Sequence, residues 1–139
     1  MSASLPVVIG VLVAALAVAL VVGRLLTRRD GQLRSTENAP SDVAALGLPA
    51  GKPAIVHFSA AWCGPCAGVR RVVDDVCAEL PGIAHLEIDM DDNPSAARDL
   101  SVLSLPTTFI FDADGRQRYR SSGVPKAADL RSALAPLLA

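Results

Sequence analysis

The chain has 139 residues, enough for one ordinary domain and an appendage. Its 13 basic and 14 acidic side chains leave a formal charge of −1, and its aromatic content is 4 %. Neither balance suits nucleic-acid binding. Hydrophobic residues make up 51 % of the sequence, and the excess is concentrated in one place.

From Leu5 to Gly23 no side chain is charged, and apart from Pro6 and two glycines the run is Val, Leu, Ile and Ala. At 1.5 Å per residue about 20 helical residues cross a hydrocarbon layer of about 30 Å, so residues 5–23 predict one transmembrane helix. A cleaved secretory signal, with Ala17-Val18-Ala19 as a small-residue site, and a buried core helix are the alternatives. Arg24, Arg28, Arg29 and Arg34 follow the run with only Asp30 opposing them, and none precedes it. Basic residues near a span stay on the cytoplasmic side, which predicts a single-pass cell-membrane protein with its domain in the cytoplasm. An extracytoplasmic domain is the alternative. The remaining residues carry nine basic against thirteen acidic side chains, an acidic body.

Three parts follow: residues 1–26 as anchor with a short tail, 27–41 as a polar juxtamembrane linker, and 42–139 as one compact domain. Ser41 can cap a short helix beginning at Asp42. AIVHFSA, 54–60, reads as a buried strand. Pro65 opens a helix that buries Val69, Val72, Val73, Val76 and Leu80 and stops at Pro81-Gly82. HLEIDM, 85–90, is a second strand, and Pro94 to Leu100 a short helix. TTFIFD, 107–112, and RQRYRSS, 116–122, flank the turn signal Asp114-Gly115, the second as an arginine-rich sheet edge. Lys126 to Leu138 closes the chain as an amphipathic helix over Leu130, Leu134 and Leu137. This order predicts an α/β fold, a mixed sheet with flanking helices.

Cys63-Gly64-Pro65-Cys66 lies between the first strand and its helix. A helix N-terminus carries partial positive charge and free N–H groups, which favour a thiolate at Cys63. Cys66, one turn on, is placed to attack a mixed disulfide formed there. Zinc needs four ligands, and the sequence has no second Cys pair and no His pair at ligand spacing, so no metal is expected. A structural disulfide across so small a loop would add little stability. The third cysteine, Cys77, falls on the valine stripe and reads as a small buried hydrophobe.

The stretches AIVHFSAAWCGPC, EIDMDDNP and SVLSLPTTFIFDADG, with the glycine-containing C-terminal segment, resemble the thioredoxin family over roughly residues 42–138. The resemblance implies a thioredoxin-like fold in which Cys63 is the nucleophile and Cys66 the resolving thiol. It implies no cofactor beyond the redox-active disulfide. It makes Leu105-Pro106 a cis bond beside the dithiol, with an ordinary trans proline as the alternative. Trp62, Leu105, Pro106, Thr107 and Gly123 fall on positions that contact substrate. Two positions depart from the family: a buried Asp usually precedes the first cysteine by six residues, where this chain has His57, and a Lys often stands where it has His85. His57, coupled to His85, is a candidate base for Cys66; a neutral core histidine is the plainer reading.

The expected activity is reduction of protein disulfides at a membrane, with protein disulfide substrates, an upstream thiol reductant, no nucleic acid and a monomeric state. The alternatives are an extracytoplasmic oxidoreductase acting on apocytochrome or secreted-protein disulfides, and a non-catalytic interaction module.

Overall fold

The computed structural model describes residues 4–36 and 43–139. These form two units, residues 1–30 and 31–139. In the first, helix α1 runs Ser4–Thr27 with every side chain exposed. Its 24 residues, about 36 Å at 1.5 Å each, are long and apolar enough to cross a membrane, and a signal sequence has the same character.

The second unit holds strands β1 (Arg34–Ser35), β2 (Ala54–Ser59), β3 (Ala84–Asp89), β4 (Thr107–Phe111) and β5 (Gln117–Ser122), with helices α2 (Cys66–Glu79), α3 (Pro94–Asp99) and α4 (Ala127–Leu134). The strands make one sheet in the order β1-β5-β4-β2-β3. Only β2 and β3 are parallel. The mixed sheet follows from the element order, because the α2 crossover returns β3 alongside β2 while the short turn at Gly115 folds β5 back antiparallel to β4.

All six residues of β2 are buried, as a strand paired on both edges and covered on both faces must be. Alternation sends Ile55 toward α2 and α4, where Val69, Val73, Val76, Leu130 and Leu134 close one core. Val56 and Phe58 point the other way, against Phe109, Phe111, Ile88 and Ala97 of α3. Val72, Leu80 and Leu137 are only half-buried, and Cys77 packs at the rim of the first core. The last helix is shorter than its apolar spacing predicts. Pro136 lacks the N–H needed to continue α4, and Ala135–Leu137 tighten into a 3-10 turn. Near residue 43 the short helix is a 3-10 turn, Val43–Leu46; its expected cap, Ser41, lies outside the described residues.

Two expectations are corrected together. Part of the 27–41 stretch is not linker, and β5 is not the sheet edge. The Gly31 amide donates to the Ser122 carbonyl at 2.5 Å, Thr36 to Arg118 at 2.9 Å, and Arg34 and Ser35 pair with Arg120 and Tyr119. Gln117 Nε2 adds a bond to Thr36 Oγ1 at 2.8 Å. An open strand edge bonds any backbone laid along it, so the pairing leaves no hydrophobic pattern in the polar sequence. Gly31 is required where it sits: its φ is +78°, and a Cβ would lie 2.2 Å from the Val124 carbonyl oxygen. Gly31→Val should therefore detach β1, raising the exchange rate of the Thr36 amide at least about tenfold in hydrogen-exchange measurements while amides of β2 keep their protection.

Candidate active site

β2 ends at Ser59, and the chain turns through Ala60, whose carbonyl accepts the Cys63 amide at 3.0 Å, before entering α2. Helical bonding begins at Pro65, whose carbonyl accepts the Gly68 and Val69 amides at 3.0 and 3.3 Å. Proline costs nothing there, because the first amides of a helix have no partner inside it. No side chain caps this end, so the positive end of α2 is directed at the Cys63-Cys66 pair. The two sulfurs form a disulfide, with Cα atoms 5.6 Å apart. Cys63 is partly exposed, whereas Cys66 is 2 % exposed with its sulfur 3.9 Å from the Phe58 carbonyl.

Of the sequence-predicted site residues, Thr107, Pro106 and Gly123 are linked by register and main-chain bonds to the end of β2 that leads into this pair. Thr107 opens β4 opposite Phe58 and Ser122, and its hydroxyl donates to the Ser104 carbonyl at 2.6 Å. The Leu105-Pro106 bond is cis, and the Pro106 carbonyl accepts the Gly123 amide at 2.9 Å. Gly123 has φ +88°, a backbone open to glycine, and Val124 beside it faces Gly68 of α2, where an added Cβ would lie 3.6 Å from its Cγ2. Trp62 is 69 % exposed, and its indole N–H donates to Asp91 Oδ2 at 3.1 Å, a partner the sequence did not single out.

His57 is completely buried, one residue before the carbonyl that faces Cys66. Parallel pairing with β3 puts His85 and Glu87 on the same face, beneath α2. His57 Nδ1 lies 2.9 Å from His85 Nε2, and His85 Nδ1 lies 3.2 Å from Asp74 Oδ1. His57 Nε2 stands 3.6 Å from Glu87 Oε2, and Glu87 is held by a bidentate contact to Arg70. A carboxylate only accepts, so we assign the proton of neutral His85 to Nδ1, facing Asp74. His85 Nε2 then accepts from His57 Nδ1–H, which leaves the lone pair of His57 on Nε2. That atom has no hydrogen-bond partner among the described residues.

Thr108 Oγ1 and Ser121 Oγ are likewise buried and unpartnered, and register places His57, Thr108 and Ser121 in one row across three strands. Asp74, Glu87 and Arg70 were missed in the sequence. Their signal was present, since His85 and Glu87 alternate on one strand face and Arg70 and Asp74 are spaced i, i+4 on α2.

Burial pulls the His57 pKa from 6.5 down to about 4, outweighing the attraction of the Glu87 carboxylate. The hydrogen bond from Arg70 dominates at Glu87 and holds that carboxyl at about 2, against the opposing cost of its burial. Burial also raises the Cys77 thiol. For His57 the unfolded chain takes up a proton below pH 6.5 that the folded domain refuses until about pH 4. Stability is therefore full above pH 6.5 and falls by about 3 kcal/mol as the pH drops toward 4. The Glu87 contribution is present above pH 4.5 and is lost only as the pH falls toward 2, so the two windows follow one another. Urea unfolding in detergent micelles at steps from pH 7.5 to 4.5 should show this decline, and His57→Gln should remove most of the slope.

Three comparisons bear on this geometry. A family model described as Thioredoxin matches residues 36–136. Thioredoxin of Mycolicibacterium smegmatis is 42 % identical over 88 residues, covering 60 % of this chain and 78 % of the relative. The chloroplastic M-type thioredoxin of Zea mays is 32 % identical over 115 residues, covering 76 % of this chain and 69 % of its own. Among solved structures, Fasciola hepatica thioredoxin superposes with a TM-score of 0.56 at 32 % identity, over 63 % of this chain and 83 % of its own. Chloroplastic thioredoxin z superposes at 0.60 and 28 % identity, over 76 % of this chain and 96 % of its own. The fold, the paired cysteines and these relatives agree: the chain belongs to the thioredoxin family and is a thiol-disulfide oxidoreductase that works through its own cysteines.

Proposed function

We propose that the protein is a membrane-tethered protein-disulfide reductase in which Cys63 attacks and Cys66 resolves. The unequal exposure of the two cysteines carries this assignment, because an incoming disulfide meets the partly exposed Cys63 before the buried Cys66. The Cys63 thiolate attacks one sulfur of the substrate, breaking its S–S bond, and the first substrate thiolate leaves. Cys66 then gives its proton to His57 Nε2 and attacks Cys63. The Cys63-Cys66 disulfide forms and the second substrate thiol is released. Two electrons pass to the substrate, and an upstream thiol reductant returns them.

His57 offers the proton step the lone pair assigned to Nε2, which has no partner among the described residues. Glu87 stands 3.6 Å away to stabilise the imidazolium formed. The bond to His85, and from there to the exposed Asp74, gives the charge a route to solvent. Trp62, Leu105 and Gly123 line the surface on which a polypeptide substrate is laid, the buried Pro106 and Thr107 set its backbone from beneath, and Gly64 and Pro65 leave the dithiol uncovered.

His57→Ala should slow insulin reduction about 100-fold at pH 7, within the usual range for general-base catalysis. The deficit should shrink above about pH 8.5 as the thiol ionises unaided, and His57→Asp should recover part of the rate. An unchanged pH–rate profile for His57→Ala would remove the base from the mechanism.

Residues 5–23 are the membrane span in this reading, and Arg24, Arg28, Arg29 and Arg34 support a cytoplasmic domain. Treatment of intact cells with a membrane-impermeant thiol reagent, after reduction, should leave Cys63 unlabelled until the membrane is opened. Labelling from outside would put the domain on the extracytoplasmic side.

A further inference from the structure

Large exposed hydrophobic side chains are scarce in the domain. Among the described residues from 31 onward they are Trp62, Leu103, Val124 and Leu138. Three of these four belong to segments at the dithiol end of the sheet: Trp62 precedes Cys63, Val124 follows Gly123, whose amide bonds the Pro106 carbonyl, and Leu103 lies in the loop that leads to Pro106 and β4. Leu103 is 91 % exposed between the buried Val102 and the partly buried Leu105. A side chain displayed so fully serves binding only if its backbone is fixed, since ordering a loose loop costs free energy at the moment of contact.

The loop is fixed at its root. Ser101 has φ +52°, a left-handed conformation that L residues other than Asn and Asp rarely adopt. It ends α3 with the Ser101 amide donating to the Arg98 carbonyl at 3.0 Å and the Val102 amide to Ala97 at 2.8 Å. The two carbonyls of the turn, Leu100 and Ser101, accept from Nη1 and Nη2 of Arg120 at 3.0 and 2.6 Å. Arg120 comes from β5, opposite Phe109 in register, and its guanidinium lies over the Phe109 ring at 5.1 Å. One planar cation thus ties the strained turn to the sheet.

We infer that Arg120 is a positioning residue and Leu103 a specificity determinant for the disulfide exchange: Arg120 holds the 101–106 loop so that Leu103 meets an apolar side chain next to the cysteine of a polypeptide substrate. Arginine suits the task better than lysine, because two carbonyls at the end of a helix match its fork of donors and a single ammonium reaches them less well.

The test uses the full chain in detergent micelles and two disulfide-linked peptides that differ in one residue beside the cysteine, leucine in one and serine in the other. The readout is the ratio of kcat/KM for the leucine peptide to that for the serine peptide, with a small aromatic disulfide as a third substrate to normalise for the amount of active enzyme. Wild type should prefer the leucine peptide. Leu103→Ser should lower the ratio about tenfold, the equivalent of losing part of one leucine's burial. Arg120→Gln should lower it several-fold through KM, and Arg120→Lys should fall between Arg120→Gln and wild type. Loss of folding would change all three substrates alike and leave the ratio in place. Leu103→Ser alters a side chain that packs on nothing, so it reads the proposal even where Arg120→Gln is unstable. An unchanged ratio in Leu103→Ser overturns the specificity role, and an unchanged ratio in a folded Arg120→Gln overturns the positioning role.

Discussion

The central strand β2 is bonded to β3 on one edge and β4 on the other, covered by α2 on one face and by the Phe58 core on the other, and has an imidazole in its middle. A buried polar side chain in such a strand must be satisfied or must be poised to react. His57 is half of each. Its Nδ1 bonds to His85, and its Nε2 is left without a partner. The surrounding arrangement keeps that half-satisfied state tolerable. Glu87 supplies negative charge nearby without accepting a bond, and Arg70 keeps Glu87 ionised and fixed.

The same strand sets up the rest of the site. Its end delivers Phe58 and the Ala60 carbonyl to the two cysteines, and its antiparallel register with β4 brings Thr107 and Pro106 to the same end. From β4 the register carries to β5, where Ser122 pairs with Thr107, the Gly123 amide bonds the Pro106 carbonyl, and Arg120 reaches back to the turn after α3. A slip of one residue between β2 and β4 would send His57 and Thr108 to opposite faces and separate the cysteines from the cis-proline loop.

Residues whose meaning is local could be read from the sequence. The dithiol is one such case, since a Cys-x-x-Cys pair between a buried strand and a proline-started helix carries its own context. The valine stripe of α2 and the turn at Gly115 are others. His57 and His85 could be placed by resemblance, and their direct contact required the β2–β3 register that only the folded sheet supplies. The 2.9 Å bond between them, the Arg70–Glu87 pair and the Arg120 clamp on main-chain carbonyls join residues 17 to 28 positions apart. Pattern reading has no access to such contacts. β1 was hidden for a different reason: two polar residues held by main-chain bonds look like linker, because the side chains contribute almost nothing to the pairing.

Docking of that short strand takes residues 31–36 out of the polar stretch and into the domain. A flexible polar stretch of 15 residues would have a root-mean-square span of about 20 Å. With Gly31 already bonded to Ser122, the connection left after Thr27 is Arg28, Arg29 and Asp30, and their amides turn back onto Arg24, Leu26 and Thr27. Gly31 also joins the sheet beside Ser122 and Val124, so the chain enters the domain at the end that carries the dithiol. A polar segment that reads as spacer is therefore part of the sheet, held by main-chain bonds to β5.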